Sequence, residues 1–139
     1  MSDVKASMRR IYDEVFTQGN VDLIDELLAD DFVEHEELPP GIPPGKEAPK
    51  AFVALFHGAF PDFRATVEEM LQDGNKVITR ARFSGTHRGE FMGIPATGNS
   101  FDIPAIDIVE FRDDKAVAHW GVMDLAGMME QLGVGGPPE

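Results

Sequence analysis

One carboxylate stands in an otherwise apolar alternating row. Between residues 99 and 112 the odd positions read Phe101, Ile103, Ala105, Asp107, Val109 and Phe111. Alternation of this kind puts all six side chains on one face of a β-strand. If that face is the core, Asp107 is a buried acid, and an unpaired buried carboxylate is costly. It then needs a raised pKa or a partner. The next run, 115–123, offers one. Val117, His119, Gly121 and Met123 share a parity there, and a tight turn at Asp113-Asp114 brings 107 roughly opposite 119–121. An aspartate and a histidine in a dry pocket can act as general acid and base near neutral pH. The same two residues also fit a purely structural buried pair, and a register slipped by one would turn them to solvent.

Other polar candidates are weaker. Strand 76–88 carries Val77, Thr79, Ala81, Phe83, Gly85 and His87 on one parity, so His87 ends a third row facing the same space. His35, at the start of a proline-rich loop, either closes one end of that space or is a solvent-exposed loop histidine. His57 sits beside Phe56 on a helix and reads as surface. Trp120 has the opposite parity from His119, which fits packing against helices or an interface. Helix capping accounts for Asp124, and core filling for Met123, Met128 and Met129.

Several chemistries find no support. His35, His57, His87 and His119 are 22, 30 and 32 residues apart, without the i, i+4 pair of a helical metal site. Glu34, Glu36 and Glu37 surround His35, and a charged loop explains them. The glycines of "GTHRGEFMGIPATG" (85–98) match neither nucleotide fingerprint, and no serine sits in an elbow motif. No metal and no cofactor are expected.

The positioning elements follow from period. Val4, Met8, Ile11, Tyr12, Val15 and Phe16 define one helical face, with Ser2 placed to cap it and Gly19 to end it. Asn20 can cap a short helix with Leu23, Ile24, Leu27 and Leu28 on its apolar side. "DDFVEH" (30–35) reads as extended, and "LPPGIPPG" (38–45) as a loop, because its prolines remove donors and fix the backbone. A third helix spans about 47–59. Beyond Pro61 the period becomes two: Phe63, Ala65 and Val67 alternate with polar residues, "DGN" (73–75) makes a hairpin turn, and 76–88, 99–112 and 115–123 are three further strands. "DLAGMMEQLG" (124–133) is a closing helix, and 134–139 a frayed tail. Helices followed by an antiparallel meander make an α+β domain. A curved sheet wrapped on a long amphipathic helix encloses an apolar concavity.

With 139 residues, a single domain over 1–139 is expected, long enough to bury a core. There is no cysteine, hence no thiolate chemistry. Twelve basic against 25 acidic residues give a net charge of −13, which disfavours nucleic acid and anionic membranes as partners. No signal peptide or long apolar run is evident, so a cytoplasmic location is expected.

The stretch from "DGNKVITRARFSGTHRGEFMGIPATG" through "HWGVMD" to "QLG", together with "TQGNVDLIDELLADDFVEH" and "FPDF", resembles the SnoaL-like polyketide cyclases of the nuclear-transport-factor-two-like superfamily. The resemblance implies a cystatin-like α+β barrel or cone: a bent antiparallel sheet around a long N-terminal helix, a deep apolar pocket, and homodimers formed through the sheet. It implies a small hydrophobic ligand, polyketide-like or terpenoid/steroid-like. The lining residues would be Tyr12, His35, Phe56, Phe83, His87, Met92, Gly121 and Met123. Such cyclases close a ring by intramolecular aldol condensation without a cofactor or metal. As aligned, their acid/base aspartate falls at Gly121 and their accompanying histidine at Asp107. The cyclase pair is therefore missing as such, and Asp107 with His119 is a relocated alternative. Cyclisation, isomerisation, hydration and hydrolysis all remain open, as do a non-catalytic binding protein and a sheet face that binds another protein.

Overall fold

The computed structural model describes residues 3–37 and 41–134. The first helix begins as α1 (Val4–Arg10), capped by the Asp3 side chain, which accepts the Ala6 N–H at 3.1 Å. The cap expected at Ser2 lies outside the described residues. From Ile11 the helix widens into a π-helical segment, Ile11–Thr17, in which Gln18 N–H reaches back five residues to Asp13. The wider turn sets Ile11, Tyr12 and Val15 inward together. Gly19, at φ +77°, ends it. The short α2 (Leu23–Leu27) starts from Asp22 without a side-chain cap; Asn20, expected to cap it, contributes only its carbonyl, to Leu23 N–H.

Five strands form one sheet in the order β1-β5-β4-β3-β2. They are β1 (Leu28–Glu34), β2 (Arg64–Asp73), β3 (Lys76–Thr86), β4 (Ser100–Arg112) and β5 (Lys115–Met123). β2 to β5 make the expected antiparallel meander. The departure is β1, which lies parallel to β5 at the sheet edge, with Glu34 paired to His119. Bulges between Val67 and Glu69 and between Glu110 and Phe111 bend the sheet. The second inserts one residue in β5, so Ala116 rather than Val117 is buried opposite Phe111, and inward parity resumes at His119. α3 (Glu47–Ala59) and α4 (Leu125–Leu132) complete the domain; Asp124 caps α4, as expected, and Gly133 ends it at φ +81°.

The core lies between the inner sheet face, the first helix and α3. The odd rows of β3 and β4 are buried as the alternation required. At one end Phe56, Phe60, Phe63, Phe91 and Phe101 interlock, with Phe56–Phe91 centroids 5.2 Å apart and Phe60–Phe101 4.8 Å apart. Each buried phenylalanine contributes roughly 1.5–3 kcal/mol by leaving water. The glycine-rich 85–98 stretch closes this end. Arg88 and Gly89 N–H both donate to Ala59 carbonyl at 3.0 Å, and a Cβ at Gly89 would stand 2.3 Å from the Gly58 oxygen. His57 is half-buried rather than on the surface: its Nε2 meets the Phe16 carbonyl and ties α3 to the first helix. No described helix is long and apolar enough to cross a membrane.

Candidate functional site

At the other end of the core, polar side chains converge. Asp107 is 7% exposed on the inner face of β4. Tyr12, fully buried on the π-helical segment, donates its hydroxyl to Asp107 Oδ2. His119 Nε2 donates to Asp107 Oδ1 at 2.8 Å, and its Nδ1 to Glu34 Oε1 at 2.5 Å. Glu34 Oε1 also accepts the Glu36 N–H at 3.0 Å. The hydrogen-bonded line thus runs Tyr12–Asp107–His119–Glu34, from the first helix across β4 and β5 to β1. The parallel placement of β1 is what supplies its last member.

Burial pushes the His119 imidazole towards neutrality, but hydrogen bonds to Asp107 and Glu34 outweigh it and raise the pKa to about 10. His119 is therefore an imidazolium at neutral pH. Burial, followed by the Asp107 charge, drives the Tyr12 hydroxyl well above its ordinary value, so it stays a donor. Glu36 stands 3.8 Å from His119 Nε2. Burial, then the negative charge of Asp107, raises it to about 7, with His119 pulling the other way.

The line forms the polar end of a cavity holding about 620 Å³ of empty space, counted out to its open mouth. Met8, Ile11, Phe16, Leu28, Phe32, Phe52, Phe83 and Val109 supply apolar wall; Glu34, Glu36, Asp107 and His119 are the polar lining. A second, more open concavity lies beyond Glu36 and Met123, bounded by His35, Glu37, Phe56, Gly121, Val122 and Leu125.

Of the residues expected at the site, Asp107, His119, Phe83 and Met123 line the cavity, and Tyr12 holds Asp107 from behind. Phe56, His35 and Gly121 border the second concavity. His35 does so while stacked on Trp120 at 4.7 Å, which puts the tryptophan on the outer sheet face. Two expected residues are elsewhere. His87 is fully buried at the aromatic end, held by Thr97 at 3.0 Å and tilted against Phe60. Met92 is 42% exposed in the turn closed by the Phe91–Ile94 bridge, and Phe91 is the residue that turns inward.

Glu34 and Glu36 are the residues that sequence reasoning left in a charged loop. The signal was present: Phe32, Glu34 and Glu36 alternate with Val33 and His35, so the two glutamates share the face of a buried phenylalanine. Glu34, Glu36 and His119 each bring a ligand-type atom within 4.8 Å of the others. Both His119 nitrogens are already paired with carboxylates, so a cation would have to displace a hydrogen bond to enter.

A sequence profile described as SnoaL-like polyketide cyclase matches residues 6–132. The chain belongs to that family. It is 32% identical over 128 residues to the aklanonic acid methyl ester cyclase DauD of Streptomyces sp. (strain C5), covering 86% of this chain and 76% of that one. IdmH of Streptomyces antibioticus superposes with a TM-score of 0.81 at 34% identity, over 95% of this chain and 99% of the other. TsrD of Streptomyces laurentii gives 0.82 at 28%, over 94% of each chain. Membership in the family goes with a role in binding or cyclising a small molecule, and it gives Gly121 a meaning. A Cβ built there would lie 2.6 Å from both Asp107 Oδ1 and Glu36 Oε1, and 2.9 Å from His119 Cε1. The space a larger side chain would need at 121 is filled by carboxylates from β4 and from the segment just past β1.

Proposed function

We propose that this SnoaL-like chain binds a small hydrophobic, polyketide-like molecule in the cavity and closes a ring on it by acid/base chemistry without a cofactor. Asp107 is the base. It removes a proton from a carbon activated by neighbouring carbonyls, and the enolate carbon then attacks a second carbonyl of the same molecule. His119, an imidazolium clamped by Glu34, orients Asp107 and balances the charge it carries. One observation carries this reading: an enclosed carboxylate, bonded to Tyr12 and His119, at the polar end of an apolar cavity. Aklanonic acid methyl ester, named for the relative DauD, is the probe. Asp107→Asn should lower ring closure at least 100-fold, within the roughly 10²–10⁴ range of a general base, while leaving binding and folding intact. A full-rate Asn variant would remove Asp107 from the reaction.

Gly121 favours a second reading, a binding protein without turnover, because the position where the resemblance expects an acid/base aspartate carries no side chain. Native mass spectrometry with the same probe separates the two readings, since a binder returns it unchanged.

The outer sheet face supports a homodimer. Leu71, Ile106, Trp120 and Val122 are 36–68% exposed there, and Ile106 pairs with Val122 in register. Ion pairs of Arg80 with Glu68 and Arg82 with Asp102 rim the apolar strip. A second copy would cover it, and Val122→Asp should yield a monomer in sedimentation equilibrium.

A further inference from the structure

We propose that Glu36 is the proton donor of this site: it delivers a proton to the carbonyl oxygen under attack, while Asp107 takes the proton from carbon. The inference rests on the cyclase reading above and divides its proton transfers between two carboxyls, one on β4 and one just past the end of β1.

Position comes first. Glu36 borders both the apolar cavity and the concavity beyond it, so it stands where a substrate reaching from one to the other must pass. Its Oε1 and Asp107 Oδ1 both lie 2.6 Å from one point, the Cβ position that Gly121 leaves free. The two carboxyls are thus neighbours at Gly121 and line the same cavity, as an acid and a base acting on one bound molecule must.

Availability comes second. Asp107 accepts from two donors, Tyr12 and His119, which suits it to take a proton rather than give one, and Glu34 Oε1 accepts from His119 and the Glu36 N–H. Among the described residues no hydrogen bond reaches the Glu36 carboxyl, leaving it free to turn towards a ligand. The titratable groups around it are Glu34, His35 and Glu37 on its own segment, Asp107 on β4, His119 on β5 and Tyr12 on the first helix. Burial and the neighbouring carboxylates keep it protonated up to about pH 7, against the pull of His119.

The steps balance. Asp107 takes the proton as a carbon–hydrogen bond breaks, and a carbon–carbon bond forms to the second carbonyl. That carbonyl's π pair becomes an alkoxide lone pair, which takes the Glu36 proton and becomes a hydroxyl. Asp107 is left protonated and Glu36 ionised. His119 Nε2, 2.8 Å from one and 3.8 Å from the other, bridges the return of the proton.

The test follows aklanonic acid methyl ester in D2O, reading deuterium entry at the acidic carbon and ring closure separately. Wild type should do both, with closure falling about tenfold per pH unit above pH 7. Glu36→Gln should keep exchange within threefold of wild type, lower closure at least 100-fold, and lose that basic limb. Its retained exchange also shows that the variant is folded. Ring closure by Glu36→Gln within threefold of wild type overturns the assignment, as does loss of exchange together with closure, which would move Glu36 to the first step. If instead the wild type neither exchanges nor closes the probe, the cyclase reading fails, and this inference with it.

Discussion

Two of the histidines sit in the interior, and they do different things. His87 lies among Phe60, Phe91 and Phe101 at the aromatic end, its Nδ1 held by Thr97 and its Nε2 buried without a partner. His119 lies at the other end, with a carboxylate on each nitrogen and a third 3.8 Å away. Only His119 has carboxylates against its nitrogens, and beside an open cavity they outweigh its burial and raise its pKa to about 10. A buried imidazole therefore marks a site only where the sheet also gathers acids around it.

The largest effect should come from removing that cation. His119→Ala leaves Asp107 and Glu34 enclosed without their counter-charge, and breaking a buried pair from one side costs about 3–5 kcal/mol. Urea unfolding at pH 7 measures it. The pH dependence has a defined sign. His119 has a folded-state pKa raised from 6.5 to about 10, so its stabilisation is complete below pH 6.5 and is lost as pH rises through 10. A loss under about 1 kcal/mol would show that water already reaches these carboxylates, and the contrast between the two ends would fail.

Glu36→Gln sharpens the same contrast from the acid side. A carboxyl raised from 4.5 to about 7 disfavours the folded state once it ionises. The penalty is absent below pH 4.5 and complete above pH 7, so the Gln variant should match wild type at pH 4. By pH 8 it should be more stable by up to ~3 kcal/mol. Equal stability at both pH values would mean that Glu36 is solvated.

The sequence made one end more legible than the other, for a physical reason. Period-two alternation on β3 and β4 is a local property, and it revealed Asp107 and the core rows directly. His119 was reachable because β4 and β5 are joined by a two-residue turn that limits the register. Glu34 ends β1 and Glu36 follows it by two residues, and the parallel pairing of β1 with β5 spans more than 80 residues and leaves no local trace. His87 faces inward as its parity requires, but β3 ends at Thr86 and the ring lies at the aromatic end, and Met92, which the family resemblance put at the pocket, sits in the turn that follows. There the backbone turns through Met92 and Gly93, both at positive φ, and Met92 is left exposed.

Gly121→Ala tests how tightly the acids are drawn together. The added Cβ would press on two carboxylate oxygens at 2.6 Å, and Asp107 is pinned by two hydrogen bonds. Overpacking of this kind costs about 1–3 kcal/mol. It should also disturb the His119 ring, read as a change in its imidazole chemical shifts. An unperturbed ring with unchanged melting temperature would show that the two carboxylates yield to a methyl group at no cost.

The smallest effect should fall at the aromatic end. His87→Phe replaces the imidazole with a ring that suits Phe60 and Phe101 and removes a buried nitrogen that has no partner. It also takes from Thr97 the acceptor used by its N–H at 3.3 Å, and the contact of its hydroxyl at 3.0 Å. A lost hydrogen bond costs about 1 kcal/mol and an orphaned buried nitrogen costs a similar amount, so the two nearly cancel. The net change in stability should stay within about 1 kcal/mol, and turnover of the probe within twofold, since His87 borders neither concavity. A tenfold fall in turnover at unchanged stability would join the two ends functionally, and the difference between the two histidines would then be one of degree.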